Sequence, residues 1–134
     1  MRNVSDVAYL ESSALVKLVV VEEESEALQD AMLQWPRRFS SRLAVVEVLR
    51  TVRRRDAARE SLARNVLARL ALVVIGDRVL FAAAQLDPIG LRSLDAIHLA
   101  TALRLRGSLG AFVSYDERQL EAAKALGLPV ASPR

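Results

Sequence analysis

Glu11 directly follows the apolar run Val7-Ala8-Tyr9-Leu10, and Asp116 closes FVSYD after a second apolar stretch. Asp95 falls two residues behind Ser93, in what the pattern SLDAIHLATAL makes the first turn of a helix. Glu47 shares one helical stripe with Leu43, Arg50 and Arg54, at spacings of four, three and four. Carboxylates brought together repel one another and shift their pKa values unless a cation sits among them. With one histidine and no cysteine in 134 residues, the cation suited to such hard oxygen donors is Mg2+ or Mn2+ rather than zinc.

Each acid also has an ordinary role open to it. Asp95 near a helix N-terminus complements the helix dipole, and Glu47 can pair with Arg50 one turn on. Asp116 suits the cap of the helix that follows it. Glu11 is harder to place, because an acid leaving an apolar strand into a tight connection is costly to bury without a partner. The shared chemistry requires that all four converge, so the elements that carry them decide the matter.

Those elements alternate. Residues 7–10 read as a short strand, followed by a helix over 12–20. A second helix opens behind Glu22-Glu23-Glu24, with Ser25 as its expected N-cap, and stops before Trp35-Pro36, since proline disfavours helical geometry in the residue ahead of it. Arg38-Phe39 is a brief strand, and Ser40 or Ser41 caps the helix that carries Glu47. A break at Arg55-Asp56 separates that helix from another over 57–70. The clearest strand is 71–75, short, β-branched and ended by Gly76-Asp77. Helices over 78–86 and 93–107 flank a turn at Asp87-Pro88-Ile89-Gly90. A strand over 111–114, a helix over 117–126 and an edge strand over 128–131 complete the chain. The edge position tolerates Pro129 because not every N–H there is needed. Short apolar strands alternating with helices predict an α/β fold of three layers, a mostly parallel sheet covered on both faces. With no repeat, low-complexity tract or linker, residues 1–134 are expected to form a single domain. In such sheets ligands collect at the carboxyl ends of the strands, which is where Glu11 and Asp116 fall.

Charge is distributed unevenly. Residues 1–36 carry two basic and seven acidic residues, whereas 37–69 carry ten arginines against three acids, although the net charge is only +3. An arginine-rich stretch of this kind suits a phosphate backbone or an acidic partner, or is simply a solvated helix face. The hydrophobic fraction of 52% with 4% aromatics calls for a core of Leu, Val and Ala, with apolar surface left over for a protein partner. Lack of cysteine fits a reducing compartment, and neither a signal peptide nor a membrane span is evident, so a soluble, cytoplasmic protein is expected.

The segments YLESSALVKL, SSRLAVVEVLR, LRSLDAIHLATAL and VSYDERQLEAAKALGLPV, in this order and spacing, resemble a PIN-domain ribonuclease toxin of the VapC family. The resemblance covers nearly the whole chain. It implies a Mg2+- or Mn2+-dependent endoribonuclease, the toxin of a type II toxin–antitoxin pair, acting on RNA such as tRNA or rRNA. It further implies a homodimer inhibited by a VapB-type antitoxin, one of whose arginines often reaches the acidic pocket. The family's acidic cluster maps onto Glu11, Glu47, Asp95 and Asp116, with Glu11, Asp95 and Asp116 as metal ligands and Glu47 as a ligand or as the group that orients the attacking water. Ser13 matches a hydroxyl residue that commonly follows the first acid, and is equally a helix cap. His98, one turn beyond Asp95, is either a proton shuttle or phosphate contact or a hydrogen-bonded packing residue. Arg50, Arg53 and Arg54 are candidates for RNA-backbone contacts, which position a substrate without reading its sequence. One departure stands out: the family places Asp where this chain has Glu11. The extra methylene lengthens the arm by roughly 1.5 Å, while catalytic constellations tolerate about 0.5 Å. Reduced activity, or a PIN-like binding module without activity, is therefore the competing expectation. A receiver-like signalling domain built on Asp77 ranks below both, since Asp77 lacks a convincing downstream lysine partner.

Overall fold

Val7–Leu10 (β1) is buried at every residue, which a strand tolerates only at the centre of a sheet covered on both sides. Its side chains divide by the two-residue period of a strand. Ala8 and Leu10 enter one apolar cluster, and Val7 and Tyr9 enter the other. The computed structural model describes residues 5–134. In it, β1 lies between Arg37–Ser41 (β2) and Leu109–Val113 (β4), with Ala71–Val73 (β3) and Val130–Ala131 (β5) at the two edges; all neighbouring strands are parallel.

Helices cover both faces. On one side Ser12–Lys17 (α1), Ser25–Ala31 (α2), Leu43–Arg55 (α3) and Glu60–Ala68 (α4) bury Leu15, Leu28, Val48, Val52 and Leu67 against Ala8, Leu10, Ala111 and Val113. On the other, Ser93–Leu103 (α6) and Glu117–Ala125 (α7) bury Leu99, Ala102, Ala122 and Ala123 against Val7, Tyr9 and Phe112. Each fully buried Leu or Val contributes roughly 1.5–3 kcal/mol. Asp77–Ala84 (α5) packs on α6 outside these layers. The expected three-layer α/β fold is what forms.

The strand order β3-β2-β1-β4-β5 means that the chain winds outward from β1 in one direction and then returns to its other side. Between β1 and β4 the winding reverses, and in open parallel sheets the crevice at the carboxyl ends of such a pair is the usual ligand site. Close apposition of the two strands depends on Gly110. A Cβ there would fall 2.5 Å from the Ser5 carbonyl oxygen, a backbone atom that cannot swing away.

Several expected boundaries move, for local reasons. The strand over 71–75 ends at Val73, where its pairing with Ser41 on β2 stops, and as an edge strand it leaves Val74 outside. The helix over 12–20 stops at Lys17, and the chain tightens through i→i−3 bonds from Leu18 and Val19. Ser25 does not act as the N-cap of α2. Its hydroxyl donates to the Lys17 carbonyl at 2.7 Å and accepts from the Glu22 N–H at 2.8 Å, tying the α1–α2 loop shut. The helix over 93–107 ends at Leu103, with the next three residues in tight turns.

Candidate active site

The carboxyl end of β1 delivers Glu11 as the N-cap of α1. Its backbone N–H donates to the Val113 carbonyl on β4 at 3.0 Å, so the acid sits in the crevice between the two strands. The side chain is 8% exposed and turns toward β4. Glu11 Oε1 accepts from the Ser13 N–H at 3.1 Å, from the Ser114 hydroxyl at 2.8 Å and from the Ser13 hydroxyl. These donors make a buried carboxylate tolerable. The cap expected of Ser13 thus belongs to Glu11, and Ser13 assists it.

After β4, Asp116 caps α7, its Oδ1 accepting from the backbone N–H groups of Arg118 at 3.0 Å and Gln119 at 3.3 Å. Ser114 reaches both ends of this turn, donating to Glu11 and accepting from the Asp116 N–H at 3.1 Å. Asp95 occupies the first turn of α6. Burial, followed by the charge of Asp116 and with a contribution from Glu47, holds its carboxyl above the usual range, while His98 and Arg92 pull the other way.

Glu47 does not pair with Arg50, which is exposed and makes no ion pair among the described residues. From α3 its Oε1 accepts from the Ser12 hydroxyl at 2.6 Å and lies 2.6 Å from His98 Nε2. Burial works to raise this carboxyl. The hydrogen bond from His98, its charge when protonated and the bond from Ser12 outweigh burial, leaving Glu47 below its usual range. His98 is sealed from solvent, and its Nδ1 lies 2.6 Å from the Tyr9 hydroxyl. Burial, aided by the charges of Glu11 and Glu47, raises the Tyr9 phenol well above its ordinary value against the bonds to Ser40 and Thr101, so it stays protonated. For a neutral imidazole the tautomer follows: Tyr9 O–H donates to Nδ1, and Nε2–H donates to Glu47. The enclosed ring thus holds the direction of the Glu47 side chain.

Glu11, Glu47 and Asp116 therefore share a pattern. Each uses one oxygen to fix its position, and its second oxygen accepts no hydrogen bond among the described residues. The site accordingly offers hard donors, with a carboxyl at Asp95 that burial and the charge of Asp116 hold above its usual range. Among the described residues no three of these side chains are gathered tightly enough to enclose an ion as they stand. The donor chemistry fits Mg2+, which keeps several of its waters and needs only one or two carboxylates directly.

Two hollows flank the acids. One of about 300 Å³ is lined by Asp95, Arg92, Arg118 and Glu121 with Leu91 and Ala122. The other, about 400 Å³, is lined by Ser12, Ser13, Glu47, Lys17, Arg55 and Tyr115. Arg53 and Arg54 are exposed with Arg50 toward the end of α3. Ser12, Ser114, Tyr9 and Gln119 escaped the sequence analysis. Ser114, two residues before Asp116, had a visible signal, whereas Tyr9 read as a core filler.

A model of the PIN domain matches residues 8–125. This chain belongs to the PIN-domain family. Within that family it is similar to VapC ribonucleases of Mycobacterium tuberculosis, among others. Ribonuclease VapC46 is 46% identical over 125 residues, covering 93% of this chain and 96% of the relative. Ribonuclease VapC35 is 44% identical over 133 residues, with the same coverage. Among solved PIN-like structures, M. tuberculosis VapC20, described as a sarcin-ricin loop cleaving toxin, superposes with a TM-score of 0.72 at 14% identity, covering 94% of this chain and 99% of that one. A toxin–antitoxin complex from Klebsiella pneumoniae gives 0.71 at 22% identity, covering 95% and 98%. At those identities the structures speak for the fold, which agrees with the PIN assignment.

Proposed function

We propose that this PIN-domain protein is a divalent-metal-dependent endoribonuclease, the toxin of a type II toxin–antitoxin pair, cutting RNA such as tRNA or rRNA. The observation that supports this reading is the setting of Asp95, whose carboxyl is held above its usual range by burial and by the charge of Asp116, with a contribution from Glu47, a cost that a dication would lower. Asp95, Asp116 and the free oxygen of Glu11 would hold the ion. When bound, a divalent ion supplies an activated water and positive charge for the phosphoryl oxygens of an in-line displacement. Glu47, held below its usual carboxyl range and fixed in direction by His98 and Ser12, would orient an attacking water and accept its proton. Arg50, Arg53 and Arg54 hold the RNA backbone and make cleavage sensitive to salt.

The names of the relatives and the toxin–antitoxin complexes among the structural neighbours support an antitoxin partner. A homodimer is supported by apolar surface: Leu80 and Phe81 on α5, with Val74, Ile89 and Leu94 nearby in the chain, are exposed, Phe81 by 70%. Sedimentation of Phe81→Glu as a monomer would bear this out, and an unchanged mass would refute that face. No helix among the described residues is long and apolar enough to cross a membrane, in keeping with a cytoplasmic site of action.

The turning of Glu11 Oε1 onto Ser13 and Ser114 favours a second reading, a PIN-like binding module with a weakened site. Titration of Mn2+ into the antitoxin-free protein with purified tRNA and rRNA separates the two. The nuclease reading expects metal-dependent cutting that Asp95→Asn abolishes. No cutting at any Mn2+ concentration rejects it.

A further inference from the structure

Beside the acids, the hollow between the start of α6 and α7 has features that catalysis by the carboxylates does not use. Asp95 is among its lining residues, so this space adjoins the proposed cleavage centre. Its floor is apolar, from Leu91, Ala122 and Ala125. At its rim stand Arg92, Arg118 and Glu121, all exposed, and none of the three side chains makes a hydrogen bond or ion pair among the described residues. The hollow on the other flank differs in this respect. Its cations are already engaged, Lys17 with Glu22 at 3.2 Å and Glu24 at 2.8 Å, and Arg55 with Glu22 at 2.9 Å. Of these two hollows, the one on the Asp95 side holds unengaged charges of both signs over an apolar floor.

We propose that this hollow is a nucleotide subsite, receiving the nucleoside next to the scissile phosphate of single-stranded RNA, with Glu121 selecting the base. The proposal rests on the nuclease reading above and adds the specificity determinant to it. A volume of about 300 Å³ lies at the lower end of ligand pockets, which suits one nucleoside. Without an aromatic ring in the lining, stacking falls to the guanidinium planes of Arg92 and Arg118, which take the faces of unpaired bases and bear positive charge toward the adjoining phosphates. Arg118 and Glu121 are one turn apart on α7 and rise side by side over the same floor. A carboxylate accepts hydrogen bonds only, so Glu121 favours a base edge that offers donors. Guanine presents two adjacent ones, its ring N1–H and exocyclic amino group, matching the two oxygens of a carboxylate. Uracil presents a single donor between two carbonyl oxygens and is disfavoured. Base choice thus arises at α7, while the acids remain indifferent to sequence.

Two measurements test this. In the first, the intact protein with Mn2+ cuts a randomised single-stranded RNA pool, and the new ends are sequenced. The expected result is enrichment of guanine at one position flanking the cut, lost in Glu121→Ala, with KM for the preferred RNA raised about tenfold in Arg118→Ala. Lys124→Ala, exposed on the same helix outside the hollow, serves as the control and should match the native enzyme. Native base preference and KM in both groove variants overturn the subsite. In the second, GMP and UMP are titrated into the metal-free protein and followed by amide chemical shifts. GMP is expected to shift α6 and α7 resonances more than UMP does, and less so in Arg118→Ala. Failure of the protein to cut any RNA, with GMP still bound in the hollow, rejects the nuclease reading and keeps the subsite. Cutting without base preference, and without nucleotide shifts in α7, does the reverse.

Discussion

The Nε2 atom of His98 lies 2.6 Å from Oε1 of Glu47, across 51 residues of chain, with the histidine ring wholly closed to solvent. A buried donor set against a half-buried carboxylate fixes where Glu47 points, and Tyr9 fixes the tautomer that makes the donor.

Replacing His98 by alanine leaves the Tyr9 hydroxyl and the Glu47 oxygen short of a partner and opens a hole beneath the site. A stranded buried polar group costs about 1–3 kcal/mol, so His98→Ala should lower Tm by several degrees and slow cleavage at least tenfold. Tyr9→Phe removes the hydroxyl alone and should show a smaller loss of both. Thermal melts and turnover under saturating Mn2+ measure the pair, and native values for His98→Ala would end the positioning argument.

Asp95 trades stability for function. Burial and the neighbouring charge of Asp116 raise its carboxyl pKa in the fold. A group raised in this way contributes stability while protonated, and that contribution is lost as pH rises through the raised value. At pH 7 the ionised form is therefore a cost to the metal-free protein. Asp95→Asn should melt about 2–5 °C higher at pH 7, with the difference vanishing near pH 3, and should be inactive. Mn2+ should raise the native Tm by mass action and leave the variant's nearly unchanged. A lower Tm for the variant at pH 7 contradicts the sign.

Asp116 has two duties that separate by substitution. Asparagine preserves the cap on α7, since its side-chain oxygen still accepts from the Arg118 and Gln119 N–H groups. Asp116→Asn should accordingly keep the native melt and lose metal-dependent cleavage. Asp116→Ala should lose cleavage and also about 1 kcal/mol of stability. Equal melts for the two variants would show that the cap is unimportant.

Glu11→Asp shortens the arm to the length usual in this family while keeping an N-cap residue at the start of α1. Its carboxylate withdraws from Ser114 and becomes free to face the other acids. Cleavage at limiting Mn2+ should rise several-fold, read as a shift of the metal titration to lower concentration. An unchanged or lower rate refutes the idea that the extra methylene weakens the site.

Much of this arrangement was legible along the chain because it depends on local rules. Apolar runs of four or five residues ended by acids mark the strand ends of β1 and β4, and the alternation of strands with helices leads to a covered parallel sheet. Edges were less legible. The run 71–75 has the composition of a strand, yet Val74 and Ile75 have no neighbour to pair with beyond Ser41, so the strand stops at Val73. In the same way Ser25 has the composition of an N-cap but is drawn into the α1–α2 loop by the Lys17 carbonyl.

The sequence by itself determined which acids the protein owns, that Glu11 and Asp116 follow strands at the carboxyl edge of a parallel sheet, and that its PIN-like segments occur in order. Only the tertiary structure decided what each acid faces. Glu47 belongs to Ser12 and His98 rather than to Arg50, Glu11 turns to Ser114 across 103 residues, and Arg118 and Glu121 stand open beside Asp95. Periodicity along a chain assigns a face to a residue, but the direction of a buried side chain is set by whichever donor the packing of distant elements brings within about 3 Å.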